Sequence, residues 1–433
     1  MSFYQLIVLK VFWQLEPPQR RSLMILFAAG LFFWSSMGSL LPTLPPYVAD
    51  IGGTAQQVGI VMGAFAIGLL GFRPWLGRMV DQRSRKLVLL IGAVVAAIAP
   101  LCYLFVQSIP LLIAIRIFHG ISIAAWTTAY SALVVDLSPI SHRGELIGYM
   151  SLVTPIGIAI GPAIGGLLQG AFGYQPLFLF AAASGMLAFL GGNQIQEPKI
   201  EYKPDTSSQA STKQNSRNFW QILASPPLLV PSIVLLLFGL AFGALSTFVP
   251  LFIRETKIDF NAGWFYTAAA IASFSSRLLI GRASDRYGRG LFITASIGFY
   301  ALAMLILSQA NSPNIFLLAG VLEGAGAGTL MPMMITLLSD RCSPQERGRV
   351  FAVCISGFDL GIAIAGGVLG SVVQYFGYRG IFIISTGLVL LALIIFMTRS
   401  NKNLANSWLF AWGKAPDIYA LNYAELEKHH QKQ

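Results

Sequence analysis

Apolar residues in this chain come in long runs, with polar residues gathered into short breaks between them. Twelve runs reach the roughly 18 residues with which a helix crosses a bilayer. They lie at 23–41, 58–76, 87–106, 109–135, 146–168 and 177–195, then at 228–253, 263–280, 291–308, 315–338, 350–373 and 381–397. Each predicts a membrane-spanning helix. The breaks near 107–108, 170–173 and 311–314 are too short to hold a domain outside the membrane. One break is longer and polar: 197–218 carries Lys199, Lys203, Pro204, Asp205 and a Thr206-Ser207-Ser208 cluster, the composition of a flexible linker. The pattern divides the chain into an interfacial N-terminus at 1–21, a six-helix bundle at 22–196, a linker at 197–226, a second six-helix bundle at 227–398 and a tail at 399–433. The apolar run 3–13 is too short to span and has no small-residue cleavage site after it, so a helix lying on the membrane surface is expected there. Trp408, Phe410 and Trp412 give the tail an interfacial anchor.

The two halves repeat without gaps at one offset, 281 − 77 = 204 residues. Gly77 and Asp81 recur as Gly281 and Asp285, Arg73 as Arg277, and Arg85 as Arg289. Gly59 recurs as Gly263, Asp136 as Asp340, Arg143-Gly144 as Arg347-Gly348, and Gly157 as Gly361. The run Phe172-Gly173-Tyr174 recurs as Phe376-Gly377-Tyr378, with Phe178 matching Phe382. A fixed register over so long a stretch marks a duplicated structural unit. In an apolar chain, two related bundles are the architecture of transporters.

Composition and charge sharpen this. The chain is 55% hydrophobic and 11% charged, against about 25% charged in soluble domains. Of its 29 Lys and Arg, Arg254, Lys257 and Arg379 fall in odd-numbered connections, Arg73, Arg116 and Arg277 lie within spans, and the rest sit in the termini and even-numbered loops. That asymmetry predicts cytoplasmic termini and a cytoplasmic linker in a plasma (inner) membrane protein. It also accounts for the net charge of +11, and a nucleic-acid partner, which would need those charges on one exposed face, is not expected. Cys102, Cys342 and Cys354 have neither metal nor redox spacing and read as small packing residues, so no metal and no cofactor are expected.

After the second run the chain reads Gly77-Arg78-Met79-Val80-Asp81-Gln82-Arg83-Ser84-Arg85-Lys86, and after the eighth Gly281-Arg282-Ala283-Ser284-Asp285-Arg286-Tyr287-Gly288-Arg289. Both resemble the G-x-x-x-D-R-x-G-R-[RK] loop signature of the major facilitator superfamily. The second copy matches as far as Arg289, while Gln82 and Ser84 depart in the first, where a less tight turn is expected. Arg116-Ile117-Phe118-His119-Gly120 is similar to that family's R-x-x-Q-G pattern, with His119 in the Gln place. Gly157, Gly161, Pro162, Gly165 and Gly166 lie in a run that resembles the G-x-x-x-G-P-x-x-G-G motif of the family's antiporter branch. Ordinary small-residue helix packing is the other reading of that run. The resemblance covers 23–397. It implies an all-α integral membrane fold of twelve helices in two pseudo-symmetric bundles around a cavity opening alternately to each side. Gly77, Asp81, Arg85, Gly281, Asp285, Arg286 and Arg289 would then be gating-loop residues. The run Glu323-Gly324-Ala325-Gly326-Ala327-Gly328 looks like a phosphate-cradling loop, yet it has no preceding strand and sits within a span, so close helix packing is expected.

Charges at mid-bilayer are costly and therefore candidates for function. Arg116, His119, Glu323 and Asp359 qualify, with His119 about 15 Å into its span and Glu323 and Asp359 about 13 Å into theirs at 1.5 Å per residue. His119 and Glu323 are repeat mates, which predicts opposite walls of one cavity, and Asp359 takes the repeat place of Pro155. Trp126 and Tyr130 extend the His119 face, with Arg116 and Thr127 beside it. A structural tie between helices is the other reading of Arg116, and a satisfied core histidine the other reading of His119. Arg73 and Arg277 are expected to snorkel to the cytoplasmic face.

These features predict a monomeric secondary transporter, an antiporter that exports a small organic, drug-like or metabolite solute against protons. No ATP-binding motif offers another energy source. A proton-coupled importer of sugar or organic acid in the same fold is the rival. A non-transporting membrane sensor or enzyme lacks any nucleophile–base cluster to support it. Proton coupling is expected through Asp359, Glu323 or both, and Asp285→Asn is expected to disturb gating more than Asp81→Asn.

Overall fold

The computed structural model describes residues 12, 15–139, 142–197, 219–343 and 346–421, apart from the side chains at 219–220, 279–282 and 285–286. The expected surface helix at 3–13 lies outside these apart from Phe12, and the expected linker at 197–226 is described only at 197 and 219–226, where Phe219–Leu223 form a short helix. Every regular element described is helical. In the first half these are α1 (Pro17–Ser39), α2 (Leu44–Asp50), α3 (Ala55–Gln82), α4 (Arg85–Phe105), α5 (Ile109–Leu137), α6 (Arg143–Ser151), α7 (Val153–Phe172) and α8 (Tyr174–Asn193). In the second they are α9 (Phe219–Leu223), α10 (Pro226–Glu255), α11 (Ala262–Tyr287), α12 (Arg289–Ser308), α13 (Pro313–Asp340), α14 (Arg347–Arg399) and α15 (Leu404–Ala411).

Ten stretches are long and apolar enough to cross a membrane among the described residues. Twelve crossings follow from two particulars. Helix α11 is 26 residues long but more polar than the others, with Ser273, Ser275, Ser276 and Arg277 in its middle. Helix α14 runs for 53 residues and breaks at Gly377, where φ is 64°, so it makes two crossings. The repeat explains that break: Gly173, the mate of Gly377, has φ 82° between α7 and α8. This backbone region suits glycine, and the duplicated Phe-Gly-Tyr run marks the same sharp turn twice. Lipid-facing side chains such as Leu167, Leu187, Ile271 and Ile394 stand exposed on the outside.

The turn motif lies differently from its sequence reading. Helix α3 continues through Gly77 and Asp81 to Gln82, so the first half of the motif is helical and not loop. At the departure from the signature, Ser84 is extended and caps α4 by accepting a hydrogen bond from the Leu87 N–H. The second copy instead turns through Gly288 at φ 83°. The substitution thus exchanges a left-handed glycine for an N-cap.

Within the first half, α5 packs on α3 and α4, and α8 on α1 and α4; within the second, α14 packs on α10 and α12, and α13 on α11 and α12. The halves meet where α3 packs on α14 and α7 on α11. A Cβ on Gly59 would sit 1.8 Å from the Gly366 carbonyl oxygen, and one on Gly370 would sit 2.7 Å from that of Ala55. Only hydrogen at those positions lets the backbones approach so closely. All of these contacts lie toward one end of the molecule. At the other end, the basic face that carries Arg83, Arg143, Arg347 and Arg399, no such backbone contact between the halves is made by Gly77, Gly144, Gly148 or Gly348. The buried cores repeat this asymmetry. Leu40, Tyr47, Val58, Tyr103 and Phe178 of the first half join the core of the second, while Leu26, Phe33, Trp126 and Leu146, nearer the basic face, form a separate core. The halves are closed at the opposite face and parted at the basic face.

Candidate functional site

Between the halves lies a cavity of about 340 Å³, walled mostly by apolar side chains that include Trp34, Met37, Phe65, Phe242 and Phe358. Its charged lining is Arg73, Arg116 and Asp359, with His119 beside them. Arg73 reaches across from α3 and donates from Nη1 to Asp359 Oδ2 on α14 at 2.7 Å, one ion pair joining the two halves. Arg73 therefore does not snorkel. Because α3 runs on to Gln82, Arg73 sits nine residues before the helix end, about 13 Å from it, too deep to reach the headgroups. Arg277 also stays inside, donating from Nε to the Gly328 carbonyl oxygen at 3.0 Å.

Arg116 and His119 come one helical turn apart on α5. Arg116 is 7% exposed and its guanidinium lies 4.5 Å from the Phe65 ring centre. No carboxylate pairs with it among the described residues, and its buried Nε has no hydrogen-bond partner. His119 holds Nδ1 3.1 Å from the Tyr103 hydroxyl, and its ring meets Phe65 edge-on at 5.5 Å. Its Nε2 is buried without a partner. So two polar groups of the cavity wall have unused hydrogen-bonding capacity.

The rest of the expected stripe diverges. Trp126 is fully buried and stacks on Phe33 with ring centres 4.3 Å apart. With Tyr130 it lines a second cavity of about 270 Å³ toward the basic face, which Thr127 and Arg277 also line. Trp34 belongs to both cavities. The expected single aromatic wall is thus two chambers in line along α5.

Glu323 corrects a second expectation. It is buried at 5% exposure but does not line the cavity of its repeat mate His119. It lies inside the second bundle, close enough to Tyr266 and Tyr300 to interact electrostatically. The contact of Gly324 with Ala269 is the mate of that of Gly120 with Phe65, and the halves differ at Gly328, which takes the place of Ala124. A Cβ on Gly324 would fall 1.9 Å from the Ala269 oxygen and one on Gly328 2.3 Å from Ser273 Oγ, so α13 is drawn tightly onto α11. This is the close packing expected of that run.

The glycine–proline run of α7 packs on both halves. A Cβ on Gly157 would fall 2.4 Å from Trp34 Cβ, and one on Gly161 or Gly165 2.5 or 2.4 Å from the oxygens of Ser35 or Ser39. Gly166 would meet Asn261 Oδ1 at 2.1 Å, and Gly263 would meet the Pro162 oxygen at 2.2 Å. The motif therefore seats α7 against α1 and against the start of α11.

Of the expected gating residues, Arg85 pairs with Asp136 and Arg289 with Asp340. These repeat-related pairs tie helices within each half and do not cross between halves. Asp81 is exposed and has no ion-pair partner among the described residues. The side chains of Asp285 and Arg286, and the surroundings of Gly281, are outside those described. Two further ion pairs were not expected from the sequence, although Asp50 and Arg254 stand 204 residues apart, the repeat offset. Asp50 at the end of α2 pairs with Arg254 at the end of α10 and accepts from the Tyr174 hydroxyl at 2.6 Å, closing the opposite face. Arg341, its side chain fully buried, holds Asp417 of the tail at 2.7 Å. Cys342 is buried beside it, and desolvation pushes its thiol pKa up, as suits a packing residue.

The sequence model of the Major Facilitator Superfamily matches residues 26–263 and 255–411. The staphylopine export protein of Staphylococcus aureus (strain Mu50 / ATCC 700699) is 27% identical over 394 residues, 88% of this chain and 97% of that protein. The multidrug resistance protein MdtG of Serratia proteamaculans (strain 568) is 26% identical over 383 residues, 86% of this chain and 92% of that protein. Two solved structures share the fold. A point mutant of the nucleoside transporter NupG superposes with a TM-score of 0.73 at 15% identity over 87% of this chain and 98% of its own. The human organic anion transporter MFSD10 does so with a TM-score of 0.62 at 19% identity over 88% and 100%.

Proposed function

Since the chain belongs to the Major Facilitator Superfamily of membrane transporters, we propose that it is a proton-driven antiporter that exports a small organic solute through the cavity between its halves. The basic face is cytoplasmic on this reading, because Lys and Arg crowd the termini and even-numbered loops, and the residues 22–196 and 227–398 move against each other as two bodies. The observation that carries the mechanism is the Arg73–Asp359 pair. Asp359 is the sole carboxylate in the cavity wall among the described residues, and it joins the halves on the side where they part. A proton arriving on Asp359 from outside removes the charge that holds Arg73. The halves are then free to rearrange, and the proton leaves to the cytoplasm when the cavity next opens there. A conformational change of this kind needs a differential contact between the two states, and the ion pair supplies it. Glu323 is the second proton-binding candidate, acting inside the second bundle. Two relatives named for export and for multidrug resistance support the direction.

Inside-out vesicles test the proposal. A dye-based proton-flux measurement should show solute-triggered release of an imposed acid-inside gradient in wild type and none in Asp359→Asn. An importer would respond in right-side-out vesicles instead, and a wild-type rate in Asp359→Asn together with Glu323→Gln would remove the coupling assignment.

A further inference from the structure

We propose that the cavity selects an organic anion, a solute with one carboxylate on a flat apolar body, and that Arg116 and His119 together hold the carboxylate. The inference rests on the reading above only in taking the central cavity as the transport site. The charges of the wall do not balance. Arg73 and Arg116 are cationic and Asp359 alone is acidic. Asp359 is committed to Arg73 at 2.7 Å. Arg116 remains, desolvated at 7% exposure and faced by the Phe65 ring at 4.5 Å. A ring face offsets only part of the cost of burying a cation. A cationic solute would add a second positive charge to an unbalanced site, and a neutral one would leave the imbalance standing. A carboxylate cancels it.

Hydrogen bonding points the same way. Arg116 Nε is a donor with no acceptor, and His119 Nε2 is likewise without a partner. Arg116 also hydrogen-bonds the Tyr103 hydroxyl oxygen, which leaves the hydroxyl hydrogen for His119. If the Tyr103 hydroxyl donates to Nδ1 across 3.1 Å, Nε2 carries hydrogen and becomes a second donor. Both atoms are closed off from solvent, so a carboxylate reaches these two donors, one turn apart on α5, through a side-chain rotation, and charge-assisted bonds to both of its oxygens are the strong kind. The remaining wall is apolar and aromatic, with Trp34, Phe242 and Phe358, which suits a ring and gives no second polar anchor. The volume of about 340 Å³ fits a small solute at the lower end of ligand cavities.

Three probes with one ring system separate charge from shape: 2-naphthylacetate, 2-naphthylacetamide and 2-naphthylethylamine. Each is titrated at pH 7 into the purified full chain in detergent, read by quenching of tryptophan fluorescence and by thermal shift. The carboxylate should bind about tenfold or more tightly than the amide and the amine. Arg116→Gln should bring the carboxylate down to the amide's affinity while leaving amide binding in place, and His119→Ala should weaken the carboxylate severalfold only. Should Arg116→Gln fail to fold, the order of the three probes on the wild type and on His119→Ala decides. The proposal is overturned by an amine that binds as well as the carboxylate, by an Arg116→Gln protein that keeps the preference, or by no carboxylate binding at millimolar concentration. These are equilibrium measurements without a gradient, so failure of proton-driven export would leave their order untouched, and the reverse holds too.

Discussion

Arg73 and Asp359 illustrate how a single contact depends on a helix length that hydropathy reads short. The apolar run ends near 76, which puts Arg73 at a span edge, whereas the helix ends at Gln82 and the arginine is deep. Its partner lies 286 residues away in sequence, a pairing that no local pattern contains. A half-buried pair of this kind is worth more than an exposed one, because less water competes for each charge. A double-mutant cycle with Arg73→Gln and Asp359→Asn, measured by thermal unfolding in detergent, should therefore show a coupling of about 1–3 kcal/mol. Additive effects would show that the two side chains do not interact in the dominant state. By contrast, Arg116, His119 and Asp359 were legible in sequence as polar groups within apolar runs, and the structure brings the three to one cavity. Glu323 was equally legible as buried, but its place was not. The repeat predicts its direction wrongly, although Gly324 meets Ala269 just as Gly120 meets Phe65; the halves differ at Gly328, which replaces Ala124 and lets α13 approach Ser273 of α11.

Glycine at helix contacts decides how elements meet, and here it acts at the closed end. Gly59 on α3 and Gly366 on α14 touch backbone to backbone, with no side chain to give way. Gly59→Ala should wedge the opposite face open, since a methyl 1.8 Å from a carbonyl oxygen cannot be accommodated without a shift of a helix. The expected readout is faster labelling of a cysteine at Thr43, which is buried at the closed face, by a membrane-impermeant maleimide added from outside. Unchanged labelling would show that the contact slides without opening. A second element-scale device is the tail. Arg341 donates to Asp417 at 2.7 and 3.1 Å, to the Pro227 oxygen at 2.7 Å and to the Ser400 oxygen at 2.8 Å, so one buried guanidinium fastens α15 and its flank to the second half. Removing one member of a buried ion pair costs about 3–5 kcal/mol. Asp417→Asn should lower the unfolding temperature by several degrees and make the chain beyond Arg399 sensitive to protease, while an unaltered digest would detach the tail from stability. In sequence the tail shows only aromatic residues, of which Phe410 is buried and Trp408 and Trp412 are about half exposed. The docking charge Asp417 follows them without any periodic signal.

The whole molecule is a pair of repeats joined along α3–α14 and α7–α11, and its twofold plan was readable because features such as the Gly173 and Gly377 turns and the Arg85–Asp136 and Arg289–Asp340 pairs occur twice. Its state was not readable, since an equilibrium between two arrangements of the same contacts leaves no pattern in the sequence. The closed end and the parted end define the direction of the next movement. If the halves pivot about the Gly59–Gly366 contact, the end of α3 swings toward the start of α14, and the end of α11 toward the start of α6. Asp81 stands at the first of these ends, exposed and without an ion-pair partner among the described residues. Across the opening, α14 begins with Arg347 and Arg349, and α6 begins with Arg143, the repeat mate of Arg347. A carboxylate at a helix N-terminus that also carries arginines gains from the dipole and the charges alike. Asp81 would therefore hold the closed cytoplasmic gate in the outward-facing state and be free in the inward-facing one. Its loss should shift the population toward inward-facing by the energy of one partly exposed contact, about 0.5–1 kcal/mol, or roughly two- to fivefold. Asp285 occupies the equivalent position in the intact copy of the motif, where Arg286 and Gly288 complete the signature, and the larger shift is expected from Asp285→Asn. Cysteine labelling from both sides of the membrane in wild type, Asp81→Asn and Asp285→Asn measures the shift directly: slower labelling from outside and faster from inside supports the gate, and identical patterns in all three proteins would take the role away from both aspartates.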